Sequence, residues 1–321
     1  MKSPRHKNWI LWIVALATLV GIVYAWMDIG FRKSAYIEAT ETYNGVVKYE
    51  IVEQNSALAA VKDEHNPFTH LNDLNYFGDI KIMPRVGSVK DLDDTTLREM
   101  AKYLQTDFIS LRRTSITNHG LKYLQFIKDL SIIDLSGTRI SDEGMTYLPA
   151  IKKLQGLNLL ETSISRKGIR HLRACEGLNW LALSSFALQN GGLEELTHMP
   201  ALTGLLLEAQ DMDDQQFQLI ATLGQLVSLH LAKSNRLTNT GLSHISRMPN
   251  LRHLYIGPGK YDNQGLFTIS HMQKLETLFV EAGANVDDEA LEHIAGMRNL
   301  VNAYVTGPGI STVYDITTSP R

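Results

Sequence analysis

A leucine returns every 24 or 25 residues through much of this sequence: Leu130, Leu154, Leu178, Leu202, Leu226, Leu251, Leu275 and Leu300 each open a unit of one design. Repetition at that period restricts the chain to a solenoid. A single unit cannot enclose its own apolar side chains, and only stacking on its neighbours removes them from water. Three residues into each unit stand Ile133, Leu157, Leu181, Leu205, Leu229, Leu254 and Leu278, and two further on stand Leu135, Leu159, Leu183, Leu207, Leu231, Ile256 and Val280. The three columns spell LxxLxL, an alternation that predicts a short strand with one face inward.

The second half of each unit is as regular. Leu121, Met145, Ile169, Leu193, Phe217, Leu242, Leu266 and Leu291 form one column, with Leu124, Leu148, Leu172, Leu196, Ile220, Ile245, Ile269 and Ile294 three residues later. That spacing marks one face of a short helix. Ahead of it stand Thr117, Ser141, Ser165, Asp213, Thr238, Asp262 and Asp287, residue types whose side-chain oxygens accept from the first free amides of a helix. Cys175 occupies a column otherwise filled by Ile127, Ile151, Met199, Leu223, Met248, Met272 and Met297, so a small buried apolar role is expected of it.

The units resemble the leucine-rich-repeat family, specifically the 24-residue bacterial variety whose consensus reads LxxLxLxxTxIxDxGLxxLxxL. The best copy is LSIIDLSGTRISDEGMTYLPAI at 130–151. The resemblance implies an α/β solenoid, a curved horseshoe with a parallel β-sheet on its concave face and short helices on its convex face. It spans 77–310 in about nine coils, the first degenerate, with Phe77, Ile80, Ile82, Leu92, Leu97 and Met100 in the expected places. Segment 28–76 is read as a linker and N-terminal capping region, since Asn44 to Glu50 is similar to the cap of membrane-anchored members, and 311–321 as a C-terminal tail. Where the family carries Asn, Cys or Thr after the strand, the early coils have Thr114, Thr138 and Thr162, whose hydroxyls are suited to backbone groups of the turn. Later coils have Phe186, Gln210, Ser234 and Gly259, which predicts a less regular C-terminal half.

Ahead of the repeats, Trp9 to Met27 runs for nineteen residues without a charge, about the length of a bilayer-spanning helix, with Trp9 and Trp12 at one end and Tyr24 and Trp26 at the other. Lys2, Arg5 and Lys7 precede it, so residues 1–8 are expected in the cytoplasm and the repeats outside. The competing reading is secretion after cleavage near Val23-Tyr24-Ala25. The length of the run and its distal aromatics favour an uncleaved signal-anchor.

Chemistry is hard to place on this pattern. The formal charge of -3 lacks the basic excess that nucleic-acid binding requires. One cysteine excludes a disulfide framework. Gly257-Pro258-Gly259-Lys260 is followed by Tyr261 rather than Ser or Thr and reads as a turn, not a phosphate loop. His65 and His70 lack a third partner for a metal, and Glu289 with His293 reads as a solvated helix face. No cofactor, metal site or catalytic group is expected, and the chain is read as non-enzymatic.

The informative positions are the strand residues turned away from the core. Phe108, Ser110, Ile132, Asp134, Gly156 and Asn158 lead the concave face, its polar side. Trp180, Leu206, His230, His253, Tyr255, Phe279 and Tyr304 then assemble an exposed aromatic cluster of interface composition. The expected role is a scaffold binding a protein or peptide, or a glycan, outside the cytoplasmic membrane. The alternative is a substrate-recognition subunit of an enzyme complex, similar to ubiquitin-ligase adaptors with related repeats. That role needs an adaptor-binding helical box, and 28–105 shows no such segment.

Overall fold

The computed structural model describes residues 35–43, 46–53, 83–84, 92–102, 104–311 and 314–315. The apolar stretch 9–27, the loop with His65 and His70, and Phe77, Ile80 and Ile82 lie outside these. Among the described residues no helix is long and apolar enough to cross a membrane.

Each LxxLxL segment is a strand: β4 (Phe108–Ser110), β5 (Ile132–Asp134), β6 (Gly156–Leu159), β7 (Trp180–Ser184), β8 (Gly204–Glu208), β9 (Ser228–Ala232), β10 (His253–Ile256), β11 (Thr277–Glu281) and β12 (Asn302–Thr306). They pair in parallel in chain order, so Leu157, Leu181, Leu205, Leu229, Leu254 and Leu278 fall in register across the sheet. At roughly 4.8 Å per strand the parallel array spans about 40 Å. Part of the segment expected to be a tail joins it: β13 (Tyr314–Asp315) pairs antiparallel with β12. Separately, β1 (Ala35–Tyr43) and β2 (Val46–Glu53) form an antiparallel pair, with β3 (Met83–Pro84) parallel to β1.

The inward columns make one continuous core from Leu92 and Leu97 to Val305, with the position of Cys175 buried among them. Desolvation pushes the Cys175 thiol up to about 11. Helices close the coils: α1 (Asp94–Ala101), α2 (Arg166–Leu172), α3 (Gly192–Leu196), α4 (Asp214–Ile220), α5 (Asn239–Ile245), α6 (Asn263–Ser270) and α7 (Glu289–Ala295). The coils at 120–126 and 144–150 close with 3-10 turns instead, and there Thr117 and Ser141 are not the N-caps. Ser165, Asp213, Thr238 and Asp262 do cap their helices, Asp213 with a full capping box.

The threonine column acts as expected. Thr114, Thr138 and Thr162 donate to the carbonyls of Leu111, Leu135 and Leu159 at 2.7, 2.6 and 2.6 Å. Contrary to expectation, the later coils with Gln210, Ser234 and Gly259 in that column still close with the regular helices α4, α5 and α6. Ser234 donates to the Gly257 carbonyl at 3.0 Å, and the buried Tyr261, placed where the early coils have Ile116, Ile140 and Ile164, donates to the same carbonyl at 3.0 Å. That carbonyl is one residue past Ile256, the counterpart of Leu111, Leu135 and Leu159, so the two hydroxyls hold the turn through a different acceptor. The irregular coil is central: Asn190 and Gly191 take φ of 52° and 87° between a 3-10 turn and α3, and Phe186 is exposed.

Coils are also clasped along the turn before each helix. Asp94 accepts the Thr117 amide at 2.8 Å and hydroxyl at 2.6 Å, Asp142 accepts the same two groups of Ser165 at 2.8 and 2.6 Å, and Asp288 takes those of Ser311. Asp214 accepts the Thr238 hydroxyl at 2.7 Å. Where the next coil offers an aspartate, the clasp residue is asparagine. Asn239 donates to Asp262 and Asn263 to Asp287, each at 2.7 Å, and each accepts the partner's amide at 3.1 Å. Donor and acceptor are therefore matched joint by joint, avoiding two facing carboxylates. Helix glycines make the room: a Cβ on Gly120, Gly144, Gly168, Gly241 or Gly265 would stand 2.2 to 2.8 Å from a clasp oxygen.

The clasp is replaced at the irregular coil, where Arg166 holds its position. Arg166 and Arg173 bracket the buried Glu195 carboxylate at 2.9 and 3.3 Å. The hydrogen bond from Arg166 holds that carboxyl below the usual range.

Candidate partner-binding face

Parallel in-register pairing sets His230, Tyr255, Phe279 and Tyr304 side by side on β9 to β12. Strands about 4.8 Å apart match the separation at which rings pack. The centroids of His230 and Tyr255 are 5.0 Å apart with planes at 18°, and those of Tyr255 and Phe279 are 4.9 Å apart at 14°. Tyr304 continues the ladder at 5.9 Å and 30°. All four are half-buried, with faces turned largely towards neighbouring rings and edges left to the concave side. Burial lowers the His230 imidazole to about 4, so it is neutral in the ladder at neutral pH.

The other residues expected on this exposed cluster lie elsewhere. Trp180 and Leu206 are 2% and 1% exposed and belong to a second apolar layer with Phe108, Leu160 and Ala182, packed by Ile132. The indole occupies the space a side chain on the next strand would take: a Cβ on Gly204 would be 2.2 Å from it. A signal for this is in the sequence, because Gly204 opposes Trp180 in register and a missing side chain leaves room for an indole beside it. His253 is also buried, its Nδ1 3.1 Å from the Thr277 hydroxyl. The N-terminal side is less polar at its surface than expected, since Asp134 and Asn158 are both buried. Their carboxylate and amide oxygens accept the Ser136 and Leu160 amides at 2.9 and 3.0 Å. Desolvation raises the Asp134 carboxyl against the lowering effect of that bond.

Beside the ladder runs a groove that sequence reasoning missed. The row following the rings carries Glu208, Ala232, Gly257 and Glu281, and the two small residues leave an opening of about 150 Å³ between the ring edges and the adjoining turns. Leu160 and Leu206 wall its N-terminal end. Lys233 binds Glu208 at 2.5 Å, and the Ser184 hydroxyl donates to the other oxygen of the same carboxylate at 2.9 Å. Glu281 is exposed and has no ion pair among the described residues.

No protein family matches the chain, and no curated protein matches it. Among solved structures it is similar to an internalin (inlF) from Listeria monocytogenes str. 4b F2365, with 15% sequence identity and a TM-score of 0.31, over 68% of this chain and 85% of that one. That likeness carries no weight for function. The solenoid fold rests on the chain's own repeats, strand order and core.

Chemically the face offers ring edges, two tyrosine hydroxyls, a neutral imidazole and an acidic rim. Among the described residues no three His, Cys, Asp or Glu side chains are gathered as a metal site requires.

Proposed function

We propose that this chain is a non-enzymatic scaffold that binds a protein or peptide on the concave face, at the ladder of His230, Tyr255, Phe279 and Tyr304. The observation that carries the reading is the ladder itself. Aromatic rings on adjoining strands are pre-ordered by their neighbours, so a partner gains apolar contact without paying to order them. A protein or peptide is favoured over a glycan because stacking on sugar needs an open ring face, and these faces are largely turned to one another. In this reading residues 9–27 anchor the chain in the cytoplasmic membrane, with the repeats on its outer side. The charge-free run and the cations before it support that arrangement.

The test is affinity capture from membranes with the full-length chain and its Tyr255→Ala/Phe279→Ala variant. Loss of a captured partner from the folded variant supports the proposal, and undiminished capture contradicts it. Protease added to intact cells tests the topology: digestion of the repeats is expected, and protection would reverse the orientation.

A further inference from the structure

The groove beside the ladder has a definite size and polarity. Glu208, Ala232, Gly257 and Glu281 succeed one another across β8 to β11, as the pairing of Glu208 with Ala232 and of Ile256 with Val280 requires. Three strand spacings amount to about 14 Å, the reach of roughly four extended residues. The opening of about 150 Å³ over Ala232 and Gly257 is of the size that admits a benzene ring. Its walls are ring edges and leucine side chains, so an apolar group is the occupant that loses least on leaving water.

Charge fixes the direction. Glu208 is already engaged by Lys233 and Ser184, whereas exposed Glu281 has no ion pair among the described residues. The groove therefore has one committed end and one end that attracts a cation. A C-terminal carboxylate or acidic side chain finds no free cation among the described lining residues, because Lys233 is bound to Glu208.

We infer that the groove takes an extended peptide crossing the strands, with a large apolar side chain seated over Ala232 and Gly257 and an adjacent Arg or Lys against Glu281. This rests on the proposed partner-binding role of the concave face and names the chemistry of what binds there.

The experiment measures fluorescence anisotropy of labelled Gly-Phe-Arg-Gly, Gly-Phe-Glu-Gly and Gly-Ala-Arg-Gly amides with the purified full-length chain in detergent micelles. The Phe-Arg peptide should bind tightest, by roughly fivefold to tenfold over each of the others. Glu281→Lys, a surface change away from the core, should invert the order of the Phe-Arg and Phe-Glu peptides. Ala232→Phe should fill the groove and abolish binding of all three, with the circular dichroism spectrum unchanged. Equal affinities, no binding by any peptide, or an order that Glu281→Lys leaves intact would overturn the inference. If the peptides fail while membrane capture still depends on Tyr255 and Phe279, the ligand chemistry is wrong and the face keeps its role. If capture is also insensitive to those two residues, the broader reading falls with it.

Discussion

Replacing a helical glycine by alanine ordinarily stabilises a helix by about 1 kcal/mol, but Gly168→Ala is expected to do the reverse. Gly168 lies in α2, and a Cβ there would meet Asp142 Oδ1 at 2.5 Å and Ile164 Cγ2 at 2.7 Å. Asp142 yields only by releasing the Ser165 amide at 2.8 Å and hydroxyl at 2.6 Å, and Ser165 is itself the cap of α2. Hydrogen bonds to charged groups contribute about 1.5 to 3 kcal/mol each. The clasp is only partly buried, so the lower figure applies, and losing both bonds costs about 3 kcal/mol. Offsetting the helix gain leaves a net loss of about 2 kcal/mol, read as a lower urea midpoint by far-UV circular dichroism. The decisive comparison repeats Gly168→Ala in an Asp142→Ala background, where the carboxylate is gone and the substitution should come out about 3 kcal/mol more favourable than in the native background. The Ile164 contact is common to both backgrounds and cancels. Additivity within about 0.5 kcal/mol, or stabilisation by Gly168→Ala alone, would refute the clasp as the reason for this glycine.

Other consequences follow from the same geometry. Leu183→Ala removes a fully buried core side chain and should cost about 2 to 5 kcal/mol in denaturant unfolding, against about 1 kcal/mol for Ser184→Ala, whose hydroxyl links Glu161 and Glu208; equal losses would mean a register slipped by one. His230 is neutral in the folded chain down to about 4 and takes its proton near 6.5 when unfolded, so the unfolded state is protonated first. Its contribution is full above about pH 6.5 and falls as pH drops towards 4, by up to about 3 kcal/mol; the difference in stability between the chain and His230→Phe should follow that window, and a pH-independent difference would refute it. Cys175, with its thiol pushed up to about 11 by burial, should react with a disulfide reagent at neutral pH only as fast as its coil opens, so rapid labelling of the native chain would contradict its burial.

The period, the strand register and the inward columns were legible in the sequence because each rests on repetition, which averages out the identity of any single residue. Cys175 could be placed in the core for that reason alone. What repetition does not encode is pairing between different columns. The clasp from Asp142 to Ser165 joins adjacent coils, and reading Ser165 only as a helix cap misses its second partner. The irregular coil is the one with Phe186 in the threonine column, whereas the coils with Gln210, Ser234 and Gly259 there close with regular helices, so a lost threonine alone does not foretell an irregular turn. On the concave face, alternation told correctly which residues turn from the core, and it placed Tyr255 against Phe279. It could not tell that Trp180 would fill the space beside Gly204, join Leu206 in a second apolar layer, and leave the ladder to the strands beyond. The stacking also means that removing Tyr255 and Phe279 together breaks three ring contacts. At about 0.5 to 1.5 kcal/mol each, the variant should be measurably less stable while its leucine core stays closed.

A partner of the concave face should cover the ladder and not some other aromatic surface. Hydroxyl-radical footprinting of the full-length chain with and without the captured partner reads this directly, because it reports solvent access to each aromatic ring. Phe126, Phe186 and Phe267 are exposed and lie off the ladder, so they serve as internal references. The prediction is reduced oxidation of Tyr255, Phe279 and Tyr304 on binding, with the three reference rings unchanged. Protection of Phe126, Phe186 or Phe267 with the ladder left open would contradict it.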